Sequence, residues 1–215
     1  PWTIPANKAL AFNSSIEYSL VEIDELDFFK EKKIVIANKL INSVMNACEI
    51  KNYKVLKTFS GKDLSGTVCS HPFLNMKFEY DVPMLDANFV DLEQGTGIVH
   101  CAPSHGPDDF NLCLKNNIKS SYTVDNAGLY TNEIPHFANT HIFKADTEVI
   151  SKLKEQNKIL KNDKLQHSYP HSWRSKAPLI YRATPQWFIS MEKKSLRNKA
   201  IEAINNTNFY PKKGK

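Results

Sequence analysis

The residues most suited to chemistry lie in one sixteen-residue stretch, GTGIVHCAPSHGPDDF, which runs from Gly95 to Phe110. It carries imidazoles at His100 and His105 and neighbouring carboxylates at Asp108 and Asp109. Imidazoles and carboxylates are the side chains that most often move protons or orient water near neutral pH. The pattern predicts a polar pocket, and a strand–loop–helix connection with ordinary capping explains it equally well.

The same stretch indicates which elements must position these side chains. The turn at 95–97 has a glycine on each side of a threonine, so its backbone can approach another group closely. The apolar pair 98–99 predicts a short buried strand that ends at His100. Pro107 suits the first position of a helix, because its missing N–H costs nothing there. The helix dipole favours carboxylates in the first turn, where Asp108 and Asp109 are both expected to lie.

Two other chemistries are suggested by residue type. A metal hydrolase is the main alternative, since two histidines and two aspartates lie close together. Their spacing is not that of HExxH, which places two imidazoles on one face of a helix, so we expect no metal site and no cofactor. A nucleophilic Cys101 is disfavoured because adjacent strand residues point to opposite faces, and His100 cannot activate it.

Composition limits the protein class. The chain has 215 residues and a net charge of +5, which permits an acidic partner such as RNA without requiring one. Its four cysteines show no CxxC spacing and no disulfide framework, as is typical of a reduced, cytoplasmic protein. No apolar stretch is long enough to span a membrane, and no signal peptide is indicated. Because the sequence begins without methionine, we expect it to be a piece of a longer protein.

Short strands with a few helices between them, and no regular alternation of the two, predict an α+β domain. We expect a curved, barrel-like mixed β-sheet with flanking helices in residues 1–165. One hairpin is predicted between strands at 9–12 and 16–23. Residues 166–215 are rich in proline, tryptophan and arginine, and we expect a connector segment that ends in a basic helix.

Three stretches resemble the editing domain of isoleucyl-tRNA synthetase, the insertion that interrupts the catalytic domain of that class I enzyme. PWTIPAN at 1–7 is similar to the end of the family's threonine-rich segment, and GTGIVHCAPSHGPDDF is similar to its editing-site signature. YPHSWRSKAPLIYRATPQWF at 169–188 resembles the passage that returns to the catalytic domain. The histidine after GTG-x-V favours the isoleucyl enzyme, since leucyl and valyl enzymes tend to carry methionine and lysine there. The signatures HIGH and KMSKS are absent from the sequence, so we expect no amino-acid activation.

The resemblance implies hydrolysis of valine wrongly attached to isoleucine tRNA, with valyl-adenylate as an open second substrate. A pocket that accepts isoleucine rejects valine by only the value of one methylene, roughly 10–200-fold, and isoleucyl-tRNA synthetase is itself the standard example of that limit. The implied partners are the 3′ end of tRNA(Ile) carrying valine and the rest of the synthetase chain. A non-catalytic tRNA-binding module is the alternative, because the family's upstream threonines are not in this sequence.

The resemblance also implies roles for single residues. Asp109 aligns with the aspartate that pairs with the substrate's α-ammonium group, and His100 with the histidine that limits pocket size. Thr3 aligns with the last threonine of the segment that holds the substrate and the attacking water. His105 receives no role. Further substrate contacts are implied at Trp2, Tyr169, Gly97, Ile98 and Val99.

Hydrolysis of an ester that is already activated needs a positioned water, an anchored ammonium group and stabilisation of the oxyanion. A ribose hydroxyl of the tRNA is thought to assist in the family, so we expect His100 to contribute geometry more than proton transfer. Some relatives bind zinc through a cysteine pair near YPH-x-W-R. Ser172 and Ser175 occupy those positions, and that zinc site is predicted to be lost.

Overall fold

The computed structural model describes residues 1–24, 33–93, 95–164, 166 and 168–211. The chain divides into two compact units, 1–183 and 184–215. The boundary expected at residue 165 falls outside the described residues, so the division into editing domain and connector stays a prediction. No helix in the described part is long and apolar enough to cross a membrane.

The strands that the structure describes in the first unit form two sheets. One has the order Val68–Ser70 (β5), Asp81–Asp86 (β6), Ala9–Phe12 (β1) and Val99–Cys101 (β7). The other has the order Lys33–Ala37 (β3), Glu17–Ile23 (β2) and Tyr53–Ser60 (β4). The α+β class is therefore confirmed, and neither sheet closes into a barrel within the described residues.

Within the described residues, the first unit has three α-helices: Ile41–Ala47 (α1), Pro107–Lys115 (α2) and Ile142–Glu155 (α3). In α3 the buried residues recur every three or four positions, which gives the helix one apolar face for the core: Ile142, Ala145, Val149 and Leu153. The second unit contains Leu196–Asn206 (α4), which buries none of its residues.

The predicted hairpin between β1 and β2 is wrong. Strand β2 pairs with β3 and β4, whereas β1 runs parallel to β6 and antiparallel to β7. The connection between β1 and β2 is anchored by Asp86 at the end of β6. Ser14 donates its N–H to one carboxylate oxygen of Asp86 and its hydroxyl to the other, each at 2.8 Å. This anchor holds the turn beside the first sheet while the chain continues into the second.

The pairing of β7 with β1 sets the direction of His100. Leu10 lies opposite His100, and Ala9 lies opposite Cys101. Cys101 is fully buried, and its carbonyl accepts a hydrogen bond from the Lys8 N–H at 2.9 Å. Because side chains alternate along a strand, His100 points away from the core that contains Cys101.

The close packing of the two sheets at Ala37 requires a glycine at position 97. The φ of Gly97 is +75°, and a Cβ at this position would lie 2.5 Å from the Cβ of Ala37. Its carbonyl accepts a hydrogen bond from the Tyr18 hydroxyl at 2.7 Å, and the Thr96 carbonyl accepts one from the Ala37 N–H at 2.8 Å. The predicted turn is confirmed, and it rests against the second sheet.

Gly97→Ala should lower the free energy of unfolding by more than Gly95→Ala. Both glycines have φ near +75°, a conformation that costs an L-residue roughly 1–2 kcal/mol. A Cβ at Gly95 meets nothing within 4 Å, whereas one at Gly97 forces Ala37 to move, at roughly 1–3 kcal/mol more. Chemical denaturation measures both losses, and equal values would show that the contact with Ala37 contributes nothing.

Candidate functional site

Two of the predicted site residues meet although they lie far apart in sequence. The hydroxyl oxygen of Thr3 is 3.1 Å from Nε2 of His100, within hydrogen-bonding distance. The other ring nitrogen of His100, Nδ1, is buried and has no hydrogen-bond partner within the described part of the chain. A buried polar atom left unpaired costs about 1–3 kcal/mol, which a ligand or water atom would recover. This pair is the polar centre of the candidate site.

Burial also fixes the charge of His100. It lowers the pKa of the imidazole to about 4, so the ring is neutral near pH 7. A neutral ring carries one proton and offers one donor and one acceptor. It does not repel a cationic group that enters the site.

The segment that carries Thr3 is held by the backbone of Trp2. The Trp2 N–H donates to Oδ1 of Asp146, on α3, at 2.9 Å. The Trp2 carbonyl accepts a short hydrogen bond from the Tyr130 hydroxyl. Thr3 thus has a fixed position without belonging to a strand.

His71 holds the other side of this segment. Its Nδ1 accepts a hydrogen bond from the Phe73 N–H at 3.1 Å, so the ring proton lies on Nε2, which donates to the Ile4 carbonyl at 3.2 Å. The ring stacks on Phe78 with centroids 4.6 Å apart, and burial lowers its pKa to about 4. A neutral His71 therefore fixes the 3₁₀ turn that follows Thr3.

Asp109 is attached to the end of the strand that carries His100. Its Oδ2 accepts a hydrogen bond from the Ala102 N–H at 2.8 Å. Burial raises the pKa of Asp109, and the bond from Ala102 opposes that shift. A Cβ at Gly106 would lie 3.2 Å from the Asp109 carboxyl carbon, so the loop approaches this carboxylate closely. Asp108 is exposed in the first turn of α2, where the helix dipole favours a negative charge.

The remaining predicted contacts differ in their surroundings. Gly97 is buried, Ile98 packs partly against the core of the second sheet, and Val99 is 41% exposed. Tyr169 is 39% exposed. Its ring stands edge-on to that of His171 with centroids 6.1 Å apart, and its carbonyl lies 2.8 Å from Nδ1 of His171.

The cysteines near the site are buried thiols. Burial raises the pKa of Cys101 well above its ordinary range and that of Cys113 to about 11. A thiol rather than a thiolate at neutral pH is a poor nucleophile, which agrees with the expectation for Cys101. Within the residues that the structure describes, no group of three or more His, Cys, Asp or Glu side chains is arranged to hold a metal ion.

The chain belongs to the class I tRNA synthetases (I, L, M and V), whose family model matches residues 8–215. The isoleucine–tRNA ligase of Pelagibacter ubique (strain HTCC1062) is 63% identical over 215 residues, and that of Francisella tularensis subsp. novicida (strain U112) is 42% identical over 214. The matches include 100% of this chain but only 24% and 22% of these relatives, so the chain spans about a quarter of their length. These relatives confirm the resemblance to isoleucyl-tRNA synthetase.

The fold is similar to that of a solved structure, GlLeuRS-CP1, from a leucyl-tRNA synthetase. The TM-score is 0.56 at 14% sequence identity, and the match covers 74% of this chain and 78% of the other. At this identity the likeness concerns the fold alone. It agrees with the fold class expected from the sequence.

Two residues that hold the site are not indicated by spacing or residue type. Asn7 is buried, and its Oδ1 accepts a hydrogen bond from the Cys101 N–H at 3.1 Å, which joins the N-terminal segment to β7. His71 is 1% exposed and lies in a loop where a histidine next to Pro72 carries no sequence signal. For Asn7 the sequence offers one indirect signal, its position in the PWTIPAN stretch that resembles the editing domain.

The free energy of unfolding should fall on acidification between pH 6.5 and about 4. Burial lowers the pKa of His71 and His100 to about 4 in the folded chain, so in this pH range the unfolded chain binds more protons than the folded chain. His71→Asn should lower stability at pH 7 but make this acid loss shallower, since asparagine removes the titrating ring and can still accept from the Phe73 N–H. Urea denaturation at a series of pH values measures the slope.

His136→Asn is the matched control, because His136 is exposed and asparagine tolerates its φ of +63°. The control should keep the slope of the unaltered chain. A His71→Asn slope equal to that of the control would contradict the assignment of His71 as a buried neutral ring.

Proposed function

We propose that this chain is the editing domain of an isoleucyl-tRNA synthetase and hydrolyses the ester that joins valine to tRNA(Ile). Water attacks the ester carbonyl carbon, the bond from that carbon to the ribose oxygen breaks, and valine and a free ribose hydroxyl are released. The rest of the synthetase chain and the 3′ end of the tRNA are the partners of this function, and the cytoplasm is its compartment.

The observation that carries the proposal is the contact between Thr3 and His100. The two residues come from two of the three stretches that resemble the editing domain, and they lie 3.1 Å apart. Nδ1 of His100 is left as a buried polar atom without a partner within the described residues. We assign this atom to the aminoacyl end of the substrate or its attacking water.

Charge supports the same assignment. Asp109, in the first turn of α2, offers a carboxylate that is bonded to the backbone just after β7 and suits the α-ammonium group of an aminoacyl ester. The imidazole of His100 is neutral, because burial lowers its pKa to about 4, and it does not compete for that carboxylate. The neutral ring therefore acts by position: it limits the pocket and orients water, while the tRNA ribose assists proton transfer.

The decisive experiment measures deacylation of valyl-tRNA(Ile) and isoleucyl-tRNA(Ile) by the purified chain, with and without EDTA. We expect valyl-tRNA to be hydrolysed, isoleucyl-tRNA to be spared, and EDTA to have no effect. Steeply salt-dependent tRNA binding without hydrolysis would instead support the non-catalytic binding module.

His100→Ala should enlarge the pocket and allow isoleucyl-tRNA(Ile) to be cleaved. The expected change is therefore loss of discrimination rather than loss of hydrolysis. The measurement is the ratio of kcat/KM for the two aminoacyl-tRNAs. Loss of activity toward both substrates would contradict the size-limiting role of His100.

Thr3→Val and Thr3→Ser form a matched pair for the other partner. Valine keeps the shape of threonine but removes the hydroxyl that contacts His100, so deacylation should fall by about 10- to 100-fold. Serine keeps the hydroxyl and should retain most of the activity. Equal activity of the two variants would show that the hydroxyl is not used.

A further inference from the structure

His105 is held in a single tautomer by two hydrogen bonds. Its Nδ1 lies 3.1 Å from the Tyr181 carbonyl, and its Nε2 lies 2.8 Å from the Thr123 hydroxyl. A carbonyl only accepts, so Nδ1 carries the proton and donates it. The Thr123 hydroxyl then donates to the lone pair of Nε2. Desolvation by burial lowers the pKa of His105, which favours this neutral form.

The fixed ring of His105 contacts the site through Trp2. The two rings meet edge to face, with centroids 4.6 Å apart and planes inclined by 70°. The backbone of Trp2 is already held on both sides, by Asp146 and Tyr130. His105 therefore supplies a fixed aromatic contact for the indole ring of Trp2, the residue that immediately precedes Thr3.

The Tyr181 carbonyl, which accepts the hydrogen bond from Nδ1 of His105, belongs to the segment Tyr181–Ala183. This segment packs beside His105. The Ala183 N–H donates to the Ser104 carbonyl at 2.8 Å. Arg182 donates from Nη1 to the Val124 carbonyl at 3.2 Å and from Nη2 to Oδ1 of Asn126 at 2.8 Å. The segment is thus fastened at three consecutive residues to the loop that carries His105 and to the chain just after Thr123.

We infer that His105 is a positioning residue that fixes the Trp2 ring of the site and makes its position depend on the docking of Tyr181–Ala183. The inference rests on the proposed function in so far as Trp2 forms the wall for the substrate side chain. Each step is direct. Tyr181 is hydrogen-bonded to the imidazole of His105, that imidazole contacts the indole ring of Trp2, and Trp2 is bonded to Thr3 in the chain. Displacement of the segment removes the acceptor of Nδ1 and frees the imidazole to turn.

Three variants separate the links. His105→Phe keeps a ring beside Trp2 but removes both hydrogen bonds. Thr123→Val is nearly isosteric and removes only the hydroxyl that fixes Nε2. Arg182→Ala removes the two side-chain hydrogen bonds that hold the segment Tyr181–Ala183 and leaves both His105 and Trp2 unsubstituted. Arg197→Ala is the matched control, because Arg197 lies in the second unit and its ion pair with Glu192 is exposed.

Two measurements are made on the whole chain. The first is the NMR resonance of the Trp2 indole N–H, which reports ring position and needs no activity. We expect it to shift or broaden in the first three variants, least in Arg182→Ala, and to stay unchanged in Arg197→Ala. The second is hydrolysis of valyl- and isoleucyl-tRNA(Ile), where we expect the valyl-to-isoleucyl ratio of kcat to fall by about tenfold with little change in KM.

An unchanged Trp2 resonance in both His105→Phe and Arg182→Ala would overturn the inference. A shifted resonance with an unchanged ratio of rates would also overturn it, because Trp2 would then be held without setting discrimination. If the unaltered chain hydrolyses neither substrate, the proposed function fails, and the resonance alone still decides whether His105 positions Trp2.

Discussion

The contact between Thr3 and His100 is the interaction on which the site depends, and the pairing of β1 with β7 brings together the two parts of the chain that carry them. Thr3 precedes β1 by six residues, and His100 lies on β7, which pairs with it. Asn7 adds a direct link, since its side chain accepts from the backbone of Cys101. A shift of one residue in this pairing would turn His100 into the core and present Cys101 instead. The register between β1 and β7 is therefore a chemical constraint as well as a structural one.

Two histidines, His71 and His105, hold the residues on either side of Thr3, and burial lowers their pKa as it lowers that of His100. The rings of His71 and His105, each neutral and hydrogen-bonded in one tautomer, act as rigid polar spacers rather than as proton carriers. His71 fixes the turn after Thr3, and His105 fixes the ring before it. The carboxylate of Asp109 is placed just after β7 by its hydrogen bond from the Ala102 N–H, and, in addition to burial, its charge helps to raise the pKa of Cys101 and Cys113.

The sequence predicts local features of this molecule well and long-range pairing poorly. The turn at Gly95–Gly97 and the helix beginning at Pro107 follow from glycine and proline, whose backbone limits act locally. The pairing of β1 was not predictable in the same way, because the side chain that anchors its exit is Asp86, far along the chain. His71 was missed for a related reason: its partner is the Ile4 carbonyl, and no residue type identifies a backbone acceptor in advance.

The pairing of β1 has a consequence for how the chain folds. Each partner of this strand, β6 and β7, is joined to it across about seventy to ninety residues of sequence. Sheets that pair strands so far apart in sequence have high contact order. They fold slowly, because the entropy of a long loop is lost before the strands gain any contacts. The strands of the second sheet, β2, β3 and β4, all lie before residue 61, whereas the contact of Thr3 with His100 needs the chain as far as β7. The contact between Thr3 and His100 can therefore form only in a chain in which β7 has already paired with β1.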